Sequence, residues 1–161
     1  MLKVDNGKRV YGWLSYTLLK SERRDHPGDP WRPFQYDQTH ILTIIAGYHL
    51  PWEIDVGARF RYVTGNPSTP LGPGVFDADQ GVTIPIPGAP YSERLPVFTQ
   101  LDLRVDKRFT FRSWILSIYL DVSNVTNNGN VEGYAYSYDY RQRQAVTSLP
   151  VLPSLGVRAS F

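Results

Sequence analysis

Hydrophobic and polar residues alternate with a period of two through much of this chain, most regularly between Val97 and Asn124. There Val97, Leu101, Leu103, Val105 and Phe109 share one face, and Gln100, Asp102, Arg104, Asp106 and Arg108 share the other. A second run sets Trp114, Leu116, Ile118, Leu120 and Val122 against Ser117, Tyr119, Asp121 and Ser123. Successive side chains of a strand point to opposite faces, so the pattern predicts strands wetted on one side only. The cleanest run sets Trp52, Ile54, Val56, Ala58, Phe60 and Tyr62 against Glu53, Asp55, Gly57, Arg59 and Arg61. Further strands are expected over 10–22, 37–50, 132–146 and 154–161. A piece at 82–86 is demoted by Pro85, which cannot donate to a ladder. No segment keeps a 3.6 period, so no helix is expected.

These elements predict an all-β fold, an antiparallel meander of six or seven long strands within one unit spanning 1–161. The count depends on Asn124–Asn130, rich in residues that tolerate left-handed backbone. A reversal there gives seven strands, and a bulge inside a longer strand gives six. Residues 1–9 read as a polar stretch with a turn signal at Asp5-Asn6-Gly7, while 23–36 and 64–96 are Pro- and Gly-rich loops. Pro51 and residues 110–113 leave room only for tight reversals. Six strands, one of them running from 115 to about 140, place the long loops together at one end.

On the polar face of the first of these runs full charges, rather than Ser and Thr, alternate, and the strands reach the roughly 9–11 residues that cross a bilayer. Long strands, apolar outside and charged inside, suit part of a transmembrane β-barrel. Leu101, Leu103, Val105, Leu116, Ile118, Leu120, Val122, Ile54, Val56 and Phe60 are then expected to face lipid. Gln100, Asp102, Arg104, Asp106, Arg108, Asp55, Arg59, Arg61, Asp121, Asp139, Arg141 and Arg158 are expected to face the lumen. A plainer role for these charges, favoured by their alternating sign, is a solvated wall held by cross-strand ion pairs of roughly 0.2–1 kcal/mol each. Aromatic residues are 14% of the chain. Trp52, Tyr62, Trp114 and a ladder at Tyr134, Tyr136, Tyr138 and Tyr140 are expected at the membrane–water boundary. A glycan-binding platform competes for the same rings.

Composition narrows the chemistry. The 161 residues include no cysteine and carry a net charge of +2, which excludes disulfides and implies no nucleic-acid partner. No apolar run reaches the roughly 18–20 residues of a membrane helix. The first nine residues have no signal-peptide core, so either a signal has been removed or the chain is a piece of something longer. His26, His40 and His49 lack metal-ligand spacing. Asp77-Ala-Asp79-Gln-Gly81 imitates the start of a calcium loop, but Gly88 stands where its Glu belongs. No metal, cofactor or enzymatic activity is expected.

Leu101-Asp102-Leu103-Arg104-Val105-Asp106, then Leu120 to Asn127, then a strand closing on Phe161 resemble the end of TonB-dependent outer-membrane receptors. Asn124, Val125, Thr126 and Asn127 stand where that family carries Asn-Leu-Phe-Asn/Asp, a departure at the middle two positions. Trp13 to Arg24, Asp37 to His40 and Tyr62 to Asn66 resemble segments farther upstream in the same barrels. The resemblance implies a bacterial outer membrane, a barrel of about 22 strands with a plugged lumen, and uptake of a scarce ligand. No plug and no TonB-contacting segment is present, so import is not expected of this chain alone. Leu155, Val157 and Phe161 resemble the terminal signal read by the barrel assembly machinery. Expected partners are that machinery, the lipid bilayer, and the remainder of a receptor or another copy. Two alternatives stay open: a self-contained barrel of eight strands with a structural or adhesive role, and a soluble β-protein binding glycans.

Overall fold

The computed structural model describes the backbone of residues 2–5 and the whole of residues 9–161. Seven strands lie side by side in chain order in one sheet: β1 (Leu2–Asp5), β2 (Val10–Leu18), β3 (His40–Leu50), β4 (Ile54–Val63), β5 (Phe98–Thr110), β6 (Ile115–Ser123) and β7 (Leu152–Ser160). Every neighbouring pair is antiparallel. The described residues contain no helix. The fold is all-β, and its sheet is open.

The registers carry the sequence alternation across the sheet. Leu103 of β5 pairs with Ala58 of β4 and Val122 of β6, and Val105 with Val56 and Leu120. Leu120 in turn pairs with Leu155, and Ile118 with Val157. One face is therefore apolar from β2 to β7. On the other face Asp102 pairs with Arg59, and Arg104 with Gly57 and Asp121. Toward β2 and β3 this second face becomes less polar, because Tyr11, Trp13 and Ile45 occupy it.

Two short turns close one end. Residues 111–114 are clasped by a Phe111 N–H to Trp114 carbonyl bond of 2.9 Å. In the other, Trp52 (φ 63°) and Glu53 (φ 57°) both take the left-handed conformation, uncommon for bulky residues. β5 holds them there: the Arg108 N–H donates to the Glu53 carbonyl at 3.0 Å, Thr110 Oγ1 to Glu53 Oε2 at 3.0 Å, and Lys107 Nζ to the Trp52 carbonyl. Trp52 thus sits in the turn rather than opening a strand.

The long connections 19–39, 64–97 and 124–151 gather at the opposite end, where they form small ribbons of their own. Leu71–Asp77 pairs with Val82–Pro87, and Val131–Tyr136 with Arg143–Thr147. Pro85 is accommodated because that ribbon has two strands, each with a free edge.

Three expectations need correction. The strand predicted from 115 to about 140 ends at Ser123, and 124–130 is a turn, with Asn124 (φ 53°) and Asn127 (φ 51°) left-handed. The segment predicted as one strand over 132–146 is a hairpin reversed at 137–142. Residues 2–5, read as a polar stretch, pair with β2, while Asn6 and Gly7 of the predicted turn lie outside the described residues. The long-strand count is thus six, joined by the short β1.

Val63 is the one buried hydrophobic residue among those described. Pro67 is buried as well, and the remaining buried side chains are polar: Asp37, Asp102, Asn124 and Asn130. Interior packing is made of hydrogen bonds.

Candidate functional site

The polar face of β4–β7 concentrates the chain's charge, and at its centre is Asp102. Only 6% exposed, it is fully engaged. Its Oδ2 accepts from Arg59 Nε (2.9 Å) and Nη2 (2.7 Å), and its Oδ1 from Gln100 Nε2 (2.7 Å) and the Asn124 backbone N–H (2.9 Å). Arg59 and Asp102 meet because β4 and β5 place them directly opposite each other.

Where β6 leaves the sheet, asparagine amides take over its pairing. Asn130 Oδ1 accepts the Thr99 N–H and its Nδ2 donates to the Thr99 carbonyl, both at 2.9 Å, standing in for a strand neighbour of β5. Asn128 Nδ2 donates to Thr99 Oγ1 at 2.7 Å. Asn124 accepts the Asn128 N–H (3.0 Å) and donates to the carbonyls of Asn128 (3.0 Å) and Leu149 (3.1 Å). Asn127 Oδ1 accepts the Val151 N–H at 3.1 Å, steering the returning chain toward β7. Asn carries this turn because its short amide supplies donor and acceptor together and tolerates left-handed backbone.

Farther along the face, Arg104 grips Asp106 by two bonds of 2.7 and 2.8 Å and lies 3.6 Å from Asp121. Its guanidinium is 4.2 Å from the Tyr119 ring centroid, a cation–π arrangement. Tyr119 in turn covers Gly156 of β7, and Tyr11 covers Gly47 of β3; a Cβ at either glycine would collide with the ring. His49 pairs with Asp55, and Arg61 stacks over Phe98 at 5.2 Å. Among the described residues Arg61, Arg108 and Arg158 have no carboxylate partner.

A second polar centre ties the long connections together beyond the strands. Asp37, 3% exposed, pairs with Arg94 and accepts the Ser21 N–H at 2.6 Å. Arg94 Nη1 also donates to the carbonyls of Asp37 (2.6 Å) and Gly65 (3.1 Å). Burial pushes the Asp37 carboxyl up, but the bonds from Arg94 and the Ser21 N–H, with the charges of Arg94 and Lys20, outweigh it. The net result lies below the ordinary 3.8. Arg143 pairs with Glu93 at 2.9 Å, and the Gly74 N–H donates to the Asp139 carbonyl at 3.1 Å. All three connections are laced into one rim.

Of the residues expected to face the lumen, Gln100, Asp102, Arg104, Asp106, Arg108, Asp55, Arg59, Arg61, Asp121 and Arg158 do share one face. Asp139 and Arg141 do not. They lie in the 137–142 reversal, where Asp139 Oδ1 accepts Ser137 Oγ (2.6 Å) and the Arg141 N–H (3.2 Å). The tyrosine ladder breaks at the same place: Tyr134 and Tyr136 face one way on a strand, while Tyr138 and Tyr140 (φ 58°) belong to the turn. The predicted lipid-facing residues share the opposite face. Trp114 stacks between Phe111 (4.5 Å) and Phe161 (6.0 Å) at the short-turn end, and Tyr62 lies on the apolar face near the long-loop end. The described residues hold no cluster of three or more metal-ligating side chains. The Asp37–Arg94 tie escaped sequence reasoning, since nothing local marks partners 57 residues apart.

Comparison of the chain with family profiles, with curated proteins and with solved structures finds no match.

Proposed function

We propose that this sheet is a wall segment of a bacterial outer-membrane β-barrel, similar to the C-terminal part of a TonB-dependent receptor. The apolar face meets lipid and the charged face meets the barrel interior. One observation carries this: the apolar face is uncovered. Val10, Leu14, Tyr16, Leu18, Tyr48, Leu50, Leu103, Val105, Phe109, Leu120, Leu155 and Val157 all lie on it and are all exposed. Completing the burial of each contributes about 1 kcal/mol, half of the usual 1.5–3 for a whole side chain. The sum rivals the roughly 5–15 kcal/mol that holds a domain together. A sheet in water would cover such a face; a sheet in lipid need not.

Dimensions agree with a bilayer. Ile54 to Tyr62 spans eight strand steps, about 27 Å along the strand and about 20 Å at the usual tilt, close to the apolar band of such barrels. Lys107, on the apolar face, bends its amine to the Trp52 carbonyl, as a lysine does near a membrane boundary. Trp114, Phe111 and Phe161 lie at the same end, and Tyr16 and Tyr62 toward the other.

The outer edges of β1 and β7 are unpaired within the sheet. Each unmet backbone group costs several kcal/mol in hydrocarbon, so the edges must be completed by the remainder of a receptor, another copy, or each other. Transport belongs to the completed barrel. A stand-alone small barrel is the second reading, favoured by β1, which adds a strand to the six long ones.

An immunoblot of native outer membranes with an antibody against 64–96 tests both. A band several times larger than 18.4 kDa supports the receptor reading, and a band at 18.4 kDa supports the small barrel. Absence from the membrane fraction refutes both.

A further inference from the structure

Tyr11, Gly47, Gly57, Arg104 and Asp121 stand in one row across the polar face, from β2 to β6. The two adjacent glycines make a dip in that row. The Tyr11 ring fills the half of it over Gly47, but the half over Gly57 is left open: a Cβ placed there would find the Ala46 carbonyl oxygen as its nearest neighbour, 3.9 Å away. A hollow of about 260 Å³ results, floored by Gly57 and walled by Tyr11, Ile45, Arg59, Arg104 and Asp121. Both guanidiniums are fixed in place. Arg59 commits Nε and Nη2 to the buried Asp102, and Arg104 commits Nε and Nη2 to Asp106 while resting on the Tyr119 ring. Each keeps its Nη1 without a hydrogen bond among the described residues; that of Arg104 is 3.6 Å from Asp121, beyond bonding distance.

We propose that this hollow is a subsite for one neutral sugar ring. The inference rests on the wall reading, since a face turned to lipid would meet no sugar. Pockets for drug-sized molecules run to roughly 300–1,000 Å³, and this hollow is just smaller, a size for a single ring rather than a chain. A pyranose presents C–H bonds on its faces and hydroxyls around its rim. The Tyr11 ring offers an apolar wall for the first, and the two Nη1 groups and the Asp121 carboxylate offer donors and an acceptor for the second. Because both guanidiniums are already held by their neighbours, little freedom is lost when a sugar arrives. Charge argues for a neutral solute. Arg59 and Arg104 pair with Asp102, Asp106 and Asp121, so an anion or a cation would have to compete with charge-assisted pairs already made.

The test uses the full chain, both in lipid nanodiscs and in detergent micelles. Protease protection in the nanodiscs judges the wall reading, and sugar binding in either medium judges this one. Methyl glucopyranoside, galactopyranoside and mannopyranoside are each offered at roughly 0.1 M, enough to saturate a site of millimolar affinity, with binding read by saturation-transfer NMR. At least one is expected to bind. Gly57→Val fills the hollow from its floor with a residue that suits a strand, and is expected to weaken binding at least tenfold. Ser117→Val, which adds bulk to the same face away from the hollow, is expected to leave it within twofold. Failure of all three sugars in both media overturns the proposal, and so do equal effects of the two valine substitutions. Displacement of the bound sugar by free alanine also overturns it, since the hollow would then be an amino-acid site.

Discussion

Replacing Asp102 separates two roles that one carboxylate performs. Its Oδ2 holds Arg59, whose side chain is half exposed, so water replaces much of what that ion pair provides. Pairs of this kind contribute about 0.5–1 kcal/mol. Its Oδ1 accepts the Asn124 N–H in a buried setting, and a buried donor left without a partner costs about 1–3 kcal/mol. Asp102→Ala removes both and is expected to cost about 2–3 kcal/mol. Asp102→Asn keeps an oxygen for Asn124 and Gln100 but loses the charge and the acceptor that faces Arg59, whose half-exposed guanidinium can turn to water, so about 1 kcal/mol is expected. Urea titration of the chain folded in lipid vesicles, followed by tryptophan fluorescence, measures both. Amide exchange at Asn124 should accelerate in the alanine variant and stay near wild type in the asparagine variant. Equal destabilisation by the two substitutions would refute the reasoning, because the ion pair to Arg59 would then be the dominant contribution.

Ile118→Arg, on the apolar face of β6, is expected to cost about 2–4 kcal/mol in vesicles if that face meets lipid near the midplane; an unchanged folding midpoint sinks the lipid assignment. Gly156→Val should displace the Tyr119 ring and weaken β6–β7 pairing, seen as faster amide exchange in Leu152–Ser160, whereas Gly133→Ala, where nothing crowds a Cβ, should leave exchange unchanged. The Asp37–Arg94 tie should follow pH in one direction. Since the folded carboxyl titrates below its ordinary 3.8, the tie stabilises the rim above that value and is lost as pH falls through the lower, folded one. Protection of the Ser21 amide should therefore hold at pH 5 and fall only in stronger acid, and an undiminished protection factor at pH 2 would count against it.

Which residues share a face was readable from the chain alone, because period-two alternation is local and survives any tertiary arrangement. The five β5 residues from Gln100 to Arg108 sit where alternation puts them. The failures share a cause. Tyr134 to Tyr140 alternate as a strand would, but the Ser137, Asp139 and Gln142 hydrogen bonds reverse the chain midway. In Asn124–Asn130 a tolerance for left-handed backbone is visible, but the bonds that choose a turn over a bulge run to Thr99 and Asp102, more than 20 residues away. Residues 1–9 read as short and polar, although β1 needs only backbone groups to join β2.

That Val63 is alone among the described residues in being both buried and hydrophobic bears on how such a chain would respond to heat. The large positive heat capacity of unfolding comes mostly from apolar surface newly exposed to water. Here little of that surface is hidden by the protein itself. If unfolded chains stay adsorbed to lipid, the calorimetric step should be small and the stability curve shallow, with little cold instability. If they escape into water, the step should be large, and it would report the bilayer's grip rather than the packing of the fold.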